Sequence, residues 1–157
     1  MKKKKILSLI VCLLIPLGVG GISAFLSRNG FRDFALLEKP PLSPPAWAFP
    51  VVWTVLYVLM GVAAWLVYTS AAPKPEKKKA LTRYGEQLFF NFFWPIIFFN
   101  LSAFYAAFLW LVALWVLILL TTISFFKIRR PAGYCMLPYL VWVALAGYLN
   151  AGVALLN

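Results

Sequence analysis

The hydrophobic residues of this chain fall into long apolar runs that short charged segments separate. A helix of roughly 20 apolar residues crosses the hydrocarbon core of a bilayer, whereas a barrel strand needs about ten residues of alternating polarity. The runs therefore favour an all-α integral membrane protein, a single domain over residues 1–157. We expect a bundle of five transmembrane helices, at about residues 6–26, 46–71, 81–99, 104–126 and 133–156.

The first run, 6–26, follows the four lysines Lys2 to Lys5. A basic head before an apolar segment is also the outline of a secretory signal peptide, which is the alternative interpretation. The apolar segment is too long for a signal peptide, so we expect a retained helix. The lysines would then anchor the N-terminus on the cytoplasmic side.

The longest uncharged stretch, 88–126, must contain two spans. As one helix it would be roughly 58 Å long, about twice what a bilayer accepts. Its most polar point is Asn100-Leu101-Ser102, where we place the break between the third and fourth spans.

A proline-rich segment separates the first two spans, and we expect residues 28–45 to form a loop. Proline fixes φ and lacks a backbone donor, so Pro40 to Pro45 predict a stiff, extended chain. The next helix begins with Trp47, Phe49, Trp53 and Tyr57. A rigid loop over a mouth of aromatic rings is typical of a lid on a site for a flat, apolar molecule.

Charge supports this topology. Only 12% of residues are charged while 64% are hydrophobic, and the net charge is +11. With a cytoplasmic N-terminus, twelve of the fifteen basic residues fall on that side, in three clusters at 2–5, 74–83 and 127–130. The positive-inside rule then places the proline loop on the opposite face. Because the basic residues flank membrane spans in separate clusters, we expect no nucleic-acid partner.

Several chemistries are excluded by composition. The chain has no histidine, so Ser-His or Cys-His nucleophile pairs and imidazole-ligated metal or haem sites are ruled out, and we expect no metal site. Its four acids lie in loops or at a helix start, which argues against a coupled ion pump. In the third span Gln87, Asn91, Trp94 and Phe98 share one helix face, which we expect to look into the bundle, for packing or for ligand contact.

Three segments, in order along the chain, resemble the signature of the translocator protein family, also called TspO/MBR or tryptophan-rich sensory proteins. They lie at 39–57, 87–99 and 138–150, and they include Pro44-Pro45-Ala46-Trp47-Ala48-Phe49-Pro50, Trp94-Pro95 and Pro138-Tyr139-Leu140-Val141-Trp142. The resemblance covers nearly the whole chain. It implies a five-helix bundle whose cavity the first loop closes, often a homodimer, in a bacterial cell membrane.

The resemblance also implies a ligand and a site. Family members bind protoporphyrin IX, haem and related tetrapyrroles, and no cofactor is obligatory. The positions expected to bind ligand, mainly by matching the family's cavity, are Phe34, Pro44, Trp47, Phe49, Trp53, Tyr57, Asn91, Phe98, Trp142, Ala146 and Leu149. Aromatic faces suit a macrocycle, Asn91 offers a donor for a carbonyl or propionate, and Ala146 keeps the wall flat.

Three functions follow from the resemblance: a tetrapyrrole receptor, sensor or carrier; a light-dependent porphyrin-degrading enzyme centred on Trp142; and a small-molecule transporter or partner regulator for which porphyrin binding is incidental. Some bacterial members are reported to degrade protoporphyrin with the help of a loop tyrosine. Phe34 stands at that position and lacks the hydroxyl, which weakens the enzymatic interpretation. We expect the first function.

Overall fold

The protein is a bundle of five helices, seen in a computed structural model that describes residues 1–157. The helices are α1 (Lys2–Phe34), α2 (Ala48–Tyr68), α3 (Lys74–Pro95), α4 (Phe104–Ile128) and α5 (Arg130–Leu156), with a π-helical segment, Ile96–Asn100, continuing α3. The predicted all-α fold is confirmed. Four helices, α1, α2, α4 and α5, are long and apolar enough to cross a membrane, which makes this an integral membrane protein.

The helices pack in the order α1, α2, α5, α4 and α3, and α3 with its π-helical segment returns to α1. The ring is therefore closed at the π-helical end. Most of the core lies between α2, α4 and α5, where the fully buried side chains include Met60, Val67, Leu111, Leu114, Ile118, Phe125, Met136 and Val143. Gly61 of α2 brings α1 close, since a Cβ there would lie 2.7 Å from the Cys12 carbonyl oxygen.

Two helices extend further than the hydropathy pattern suggested. α1 continues through Phe34, so residues 28–34, which we expected in the loop, are helical and the loop spans 35–47. Arg28, Arg32 and Asp33 are polar but compatible with a helix, and α1 ends a few residues before Pro40 and Pro41. α3 begins at Lys74 rather than near 81, with Pro75 in the first turn, where its missing N–H costs nothing.

The predicted break between the third and fourth spans is confirmed at 101–103, directly after the π-helical segment. Pro95 cannot donate to the preceding turn, and the backbone then widens so that Leu101 N–H donates to the Ile96 carbonyl at 3.1 Å. Ser102 has a left-handed φ of 49°, which ends the helix. The Asn100 side chain donates to the Leu26 carbonyl at 3.0 Å and so ties this turn to α1.

Candidate functional site

A chain of hydrogen bonds crosses the buried centre of the bundle and joins α2, α3 and α5. Tyr57 Oη donates to Asn91 Oδ1, Asn91 Nδ2 donates to Tyr139 Oη, and Tyr139 Oη donates to Gln87 Oε1, each at 2.7 Å. All four side chains are buried. Polar groups in an apolar interior need partners, and here each partner comes from another helix. These hydrogen bonds therefore fix how α2, α3 and α5 pack against one another.

Trp53 extends this centre towards the loop. Its ring stacks on Tyr57 with centroids 5.5 Å apart and meets Tyr139 edge-on at 6.2 Å. Trp53 and Tyr57 are one helical turn apart on α2, so their side chains lie on the same face. The rings of Trp53 and Tyr57 and the polar pair of Tyr57 and Asn91 thus lie together in the half of α2 that is nearer the loop.

Trp142 lies on the neighbouring face, between α5 and α2. It is half-buried and meets Phe49 edge-on, with centroids 5.9 Å apart. The two helices leave an apolar groove of about 480 Å³, which Trp142 lines together with Val52, Val55 and Val141. The indole Nε1 is buried and has no hydrogen-bond partner. Buried indole donors usually find an acceptor, so this unpaired N–H is unusual for a tryptophan packed between helices.

A third group of aromatic rings surrounds the π-helical segment. Phe34, at the end of α1, lies 5.7 Å from Phe98, and Phe98 stacks on Trp94 at 5.3 Å. Trp94 Nε1 donates to Asn150 Oδ1 at 3.1 Å, which links α3 to α5. The Lys39 ammonium lies 4.9 Å from the centre of the Phe34 ring, a cation–π contact between the loop and α1.

The loop, 35–47, is fastened to α5 at three levels. Asn157 donates to the Glu38 carbonyl at 2.9 Å and accepts from the Glu38 N–H at 3.1 Å. Pro40 packs on Gly152, where any side chain would collide with the proline ring. Tyr148 Oη donates to the Pro41 carbonyl at 2.8 Å. Successive loop residues therefore run along the last turns of α5 towards its middle.

The loop turns sharply after this contact. Leu42 has a left-handed φ of 65° and is 88% exposed, and Ser43 Oγ closes the turn by donating to the Pro40 carbonyl at 2.6 Å. A leucine in the left-handed region is strained because its Cβ approaches the following carbonyl oxygen. At 88% exposure the Leu42 side chain buries little apolar surface that could offset this strain.

The predicted site residues form three neighbouring groups rather than one wall. Tyr57, Asn91 and Trp53 meet at the centre, Phe49 meets Trp142 in the groove, and Phe34 meets Phe98 at the π-helical segment. Of the other expected residues, Ala146 and Leu149 are buried on α5, Pro44 is partly buried in the loop, and Trp47 is 70% exposed and in none of these groups.

Tyr139 is the central residue that sequence reasoning missed. The predicted face of the third span, with Gln87 and Asn91, does look into the bundle. On α5, however, the fully buried face runs through Tyr139, Val143 and Asn150, and Trp142 lies at its side. The spacing of these three residues on one helix face was the signal available in the sequence.

Comparisons with known proteins identify the family of this chain. A profile of the TspO/MBR family matches residues 12–156. The chain belongs to the TspO/MBR family. It is 36% identical over 155 residues to "Tryptophan-rich protein TspO" of Chlorobaculum tepidum, covering 98% of both chains. It is also 36% identical to "Tryptophan-rich sensory protein" of Cereibacter sphaeroides over 77% of this chain and 74% of that one, and 32% identical to "Translocator protein" of Bos taurus over 87% and 82%.

Family membership, together with the four spanning helices, supports a membrane sensor or receptor. Five of the chain's seven tryptophans fall into two groups here. Trp94, Trp110 and Trp115 donate to acceptors on other helices and hold the bundle together. Trp142 and Trp53 instead present their rings near the loop-side end of α2.

Proposed function

We propose that this TspO/MBR protein is a membrane receptor, sensor or carrier that binds tetrapyrroles such as protoporphyrin IX or haem beneath the loop, between α2 and α5. The observation that carries the proposal is the unpaired, buried indole N–H of Trp142 beside an apolar groove. A flat macrocycle offers an apolar face to this groove and carboxylate or carbonyl oxygens to the N–H. Relatives named as sensory and translocator proteins support a role in recognising or moving a small molecule.

The surrounding groups suit such a ligand. Phe49, Trp53 and Trp142 supply aromatic faces for stacking. Tyr57 and Asn91 form a deeper polar pair whose hydrogen bond can be exchanged for one to a propionate or carbonyl. The loop is fastened to α5 at this end of the bundle, so a large ligand that enters from the loop side requires the loop to leave α5.

The enzymatic alternative has less support. Phe34 packs against Phe98 and Phe99, at 5.7 and 5.3 Å, and has no hydroxyl to give up a proton and an electron. Binding without light-dependent degradation is therefore the function that these residues favour.

The test is a dark titration of the full-length, detergent-solubilised protein with protoporphyrin IX. We expect Trp142→Ala to weaken binding by at least about fivefold, the scale of one buried aromatic contact. Trp142→Phe keeps a ring but removes the donor, so we expect a smaller loss. Trp110→Phe is the control because the Trp110 N–H already donates to the Phe90 carbonyl. Equal affinity of the wild type and Trp142→Ala for protoporphyrin IX would show that the ligand does not bind in this groove.

Two further measurements separate the alternatives. Illumination of the loaded protein should leave the porphyrin intact in the wild type, whereas degradation by the wild type would support the enzyme. Phe34→Tyr, which restores the hydroxyl, tests whether that group alone is missing. Uptake of porphyrin by liposomes only when the protein is present would favour a transporter over a sensor.

A further inference from the structure

A second groove lies at the lysine-rich end of the bundle, between α1, α2 and α3. Its volume is about 690 Å³, and nine of its twelve lining residues are hydrophobic, among them Leu7, Val11 and Ile15 of α1 and Leu81 and Leu88 of α3. None of the eleven residues expected to bind a tetrapyrrole lines it. The groove therefore needs an explanation of its own.

The groove is long and opens sideways. Along α1 its lining runs from Lys4 to Ile15, about 16 Å at the rise of an α-helix. Leu7, Val11 and Ile15 are each at least 46% exposed, on a helix apolar enough to cross a membrane, so the open side faces lipid. A long, apolar channel open to lipid fits an extended acyl chain.

Two features shape the space between α1 and α3 here. Trp65 Nε1 on α2 donates to Ser8 Oγ at 3.1 Å, which ties the first turns of α1 to α2. On α3, Gly85 contributes no side chain, and a Cβ built there would meet nothing within 4 Å. The space is thus part of the packed arrangement of the three helices.

Polar groups are placed at the mouth and in the wall. Lys4 lines the mouth, within the cluster Lys2 to Lys5. Tyr84, 6% exposed, forms part of the wall, and its hydroxyl has no hydrogen-bond partner in the chain. A buried donor without an acceptor costs free energy, which an oxygen atom of a bound molecule would recover. Basic residues next to the membrane attract anionic headgroups.

We propose that this groove binds one acyl chain of an anionic phospholipid, whose phosphate pairs with Lys4. The acyl chain follows α1 from Lys4 towards Ile15 and fills the space that Gly85 leaves. Charge complementarity at the mouth favours a lipid over a second copy of this chain, because another copy would bring the same lysines into the same region.

The experiment is native mass spectrometry of the full-length protein purified in detergent and incubated with dioleoyl phosphatidylglycerol or dioleoyl phosphatidylcholine. We expect one tightly retained phosphatidylglycerol and weaker retention of phosphatidylcholine. Lys4→Gln should reduce retention of phosphatidylglycerol by roughly fivefold, the effect of one basic residue at a membrane surface, while Lys3→Gln, outside the groove, should reduce it less.

A bulky side chain placed in the groove should abolish retention. Gly85→Phe fills the space, and Gly21→Phe is its control, since a Cβ at Gly21 of α1 also meets nothing within 4 Å but lies outside the groove. If Gly85→Phe does not fold, Val11→Trp and Ile10→Trp form a second pair. Both residues are 46% exposed on α1, and only Val11 lines the groove.

Three results would overturn the proposal: equal retention of the two lipids by the wild type, retention unchanged in Gly85→Phe, or a loss in Gly85→Phe matched by Gly21→Phe. If Gly85→Phe disrupts a dimer and leaves lipid retention intact, the groove is an interface between copies instead. Protoporphyrin binding should be the same in Gly85→Phe and the wild type. A negative result for the lipid would therefore not count against the tetrapyrrole site, and a negative result for the tetrapyrrole would not count against the lipid.

Discussion

The hydroxyl of Tyr139 has a role that no other side chain in the bundle shares. It accepts from Asn91 and donates to Gln87, so it joins the two amides of α3 into one hydrogen-bonded unit with Tyr57. An unsatisfied polar group in an apolar interior costs about 1–3 kcal/mol. Each of the four residues therefore relies on another member of the group for a hydrogen-bond partner.

Tyr139→Phe should lower stability by about 2–4 kcal/mol, because it leaves both Asn91 Nδ2 and Gln87 Oε1 without this partner. Unfolding in detergent, followed by far-UV circular dichroism, measures the effect. Tyr134→Phe is the control on the same helix, where the tyrosine is 62% exposed, and should change stability little. Equal stability of the two variants would show that water or rearranged amides replace the hydroxyl.

At the level of single residues the sequence was informative about which polar groups are buried and less so about their partners. Gln87 and Asn91 share a helix face in an apolar span, and amides there must look inward. That Tyr139 meets them depends on how α3 and α5 are rotated, which side-chain packing across the whole bundle decides. Periodicity within one helix contains no such information.

Among the elements, the loop is the one whose attachment suggests movement. Hydrogen bonds at Glu38 and Pro41 join it to α5, and two of its turn residues, Leu42 and Trp47, are largely exposed. Few buried apolar contacts and a few exposed hydrogen bonds are typical of segments that open locally. We therefore expect the loop to exchange between docked and undocked forms.

Tyr148→Phe removes the bond to the Pro41 carbonyl and should raise the undocked population by about fivefold, the effect of one hydrogen bond. Hydrogen–deuterium exchange of the 35–47 backbone amides measures it. Tyr105→Phe on α4, where the tyrosine is 66% exposed, is the control. Exchange rates that are equal in the wild type and Tyr148→Phe would mean that the other contacts alone hold the loop.

Helix ends were predicted less well than helices. Hydropathy marks where the chain leaves the hydrocarbon, but α1 continues for two more turns to Phe34 because nothing in 28–34 prevents a helix. The π-helical segment after Pro95 was also not predicted, because a proline inside a helix does not by itself specify a π-helical turn. The break itself was predictable from Asn100 and Ser102.

The whole molecule is asymmetric along its long axis. The end that bears the loop is closed by aromatic rings and by loop contacts, whereas the lysine-rich end is open between α1 and α3. The charge clusters predict which end faces the cytoplasm. The groove was not predictable, because it depends on how α1 and α3, which are far apart in the sequence, separate at the lysine-rich end. The positions of the two ends in the membrane remain a prediction from charge.

Cysteine labelling checks that orientation. In a background with Cys12→Ser and Cys135→Ser, Leu36→Cys in the loop should react with a membrane-impermeant maleimide on intact cells, since Leu36 is 86% exposed. Lys78→Cys, also exposed, should react only after permeabilisation. The opposite pattern would place the N-terminus outside and would contradict the charge argument.

The left-handed backbone at Leu42 has a consequence for how readily the loop responds. Holding a leucine there costs about 1 kcal/mol more than holding a glycine, an amount similar to one of the hydrogen bonds that fasten the loop to α5. We expect undocking to release that strain, so that Leu42 partly offsets the contacts that favour docking. A ligand would then need correspondingly less binding free energy to shift the loop to its undocked form.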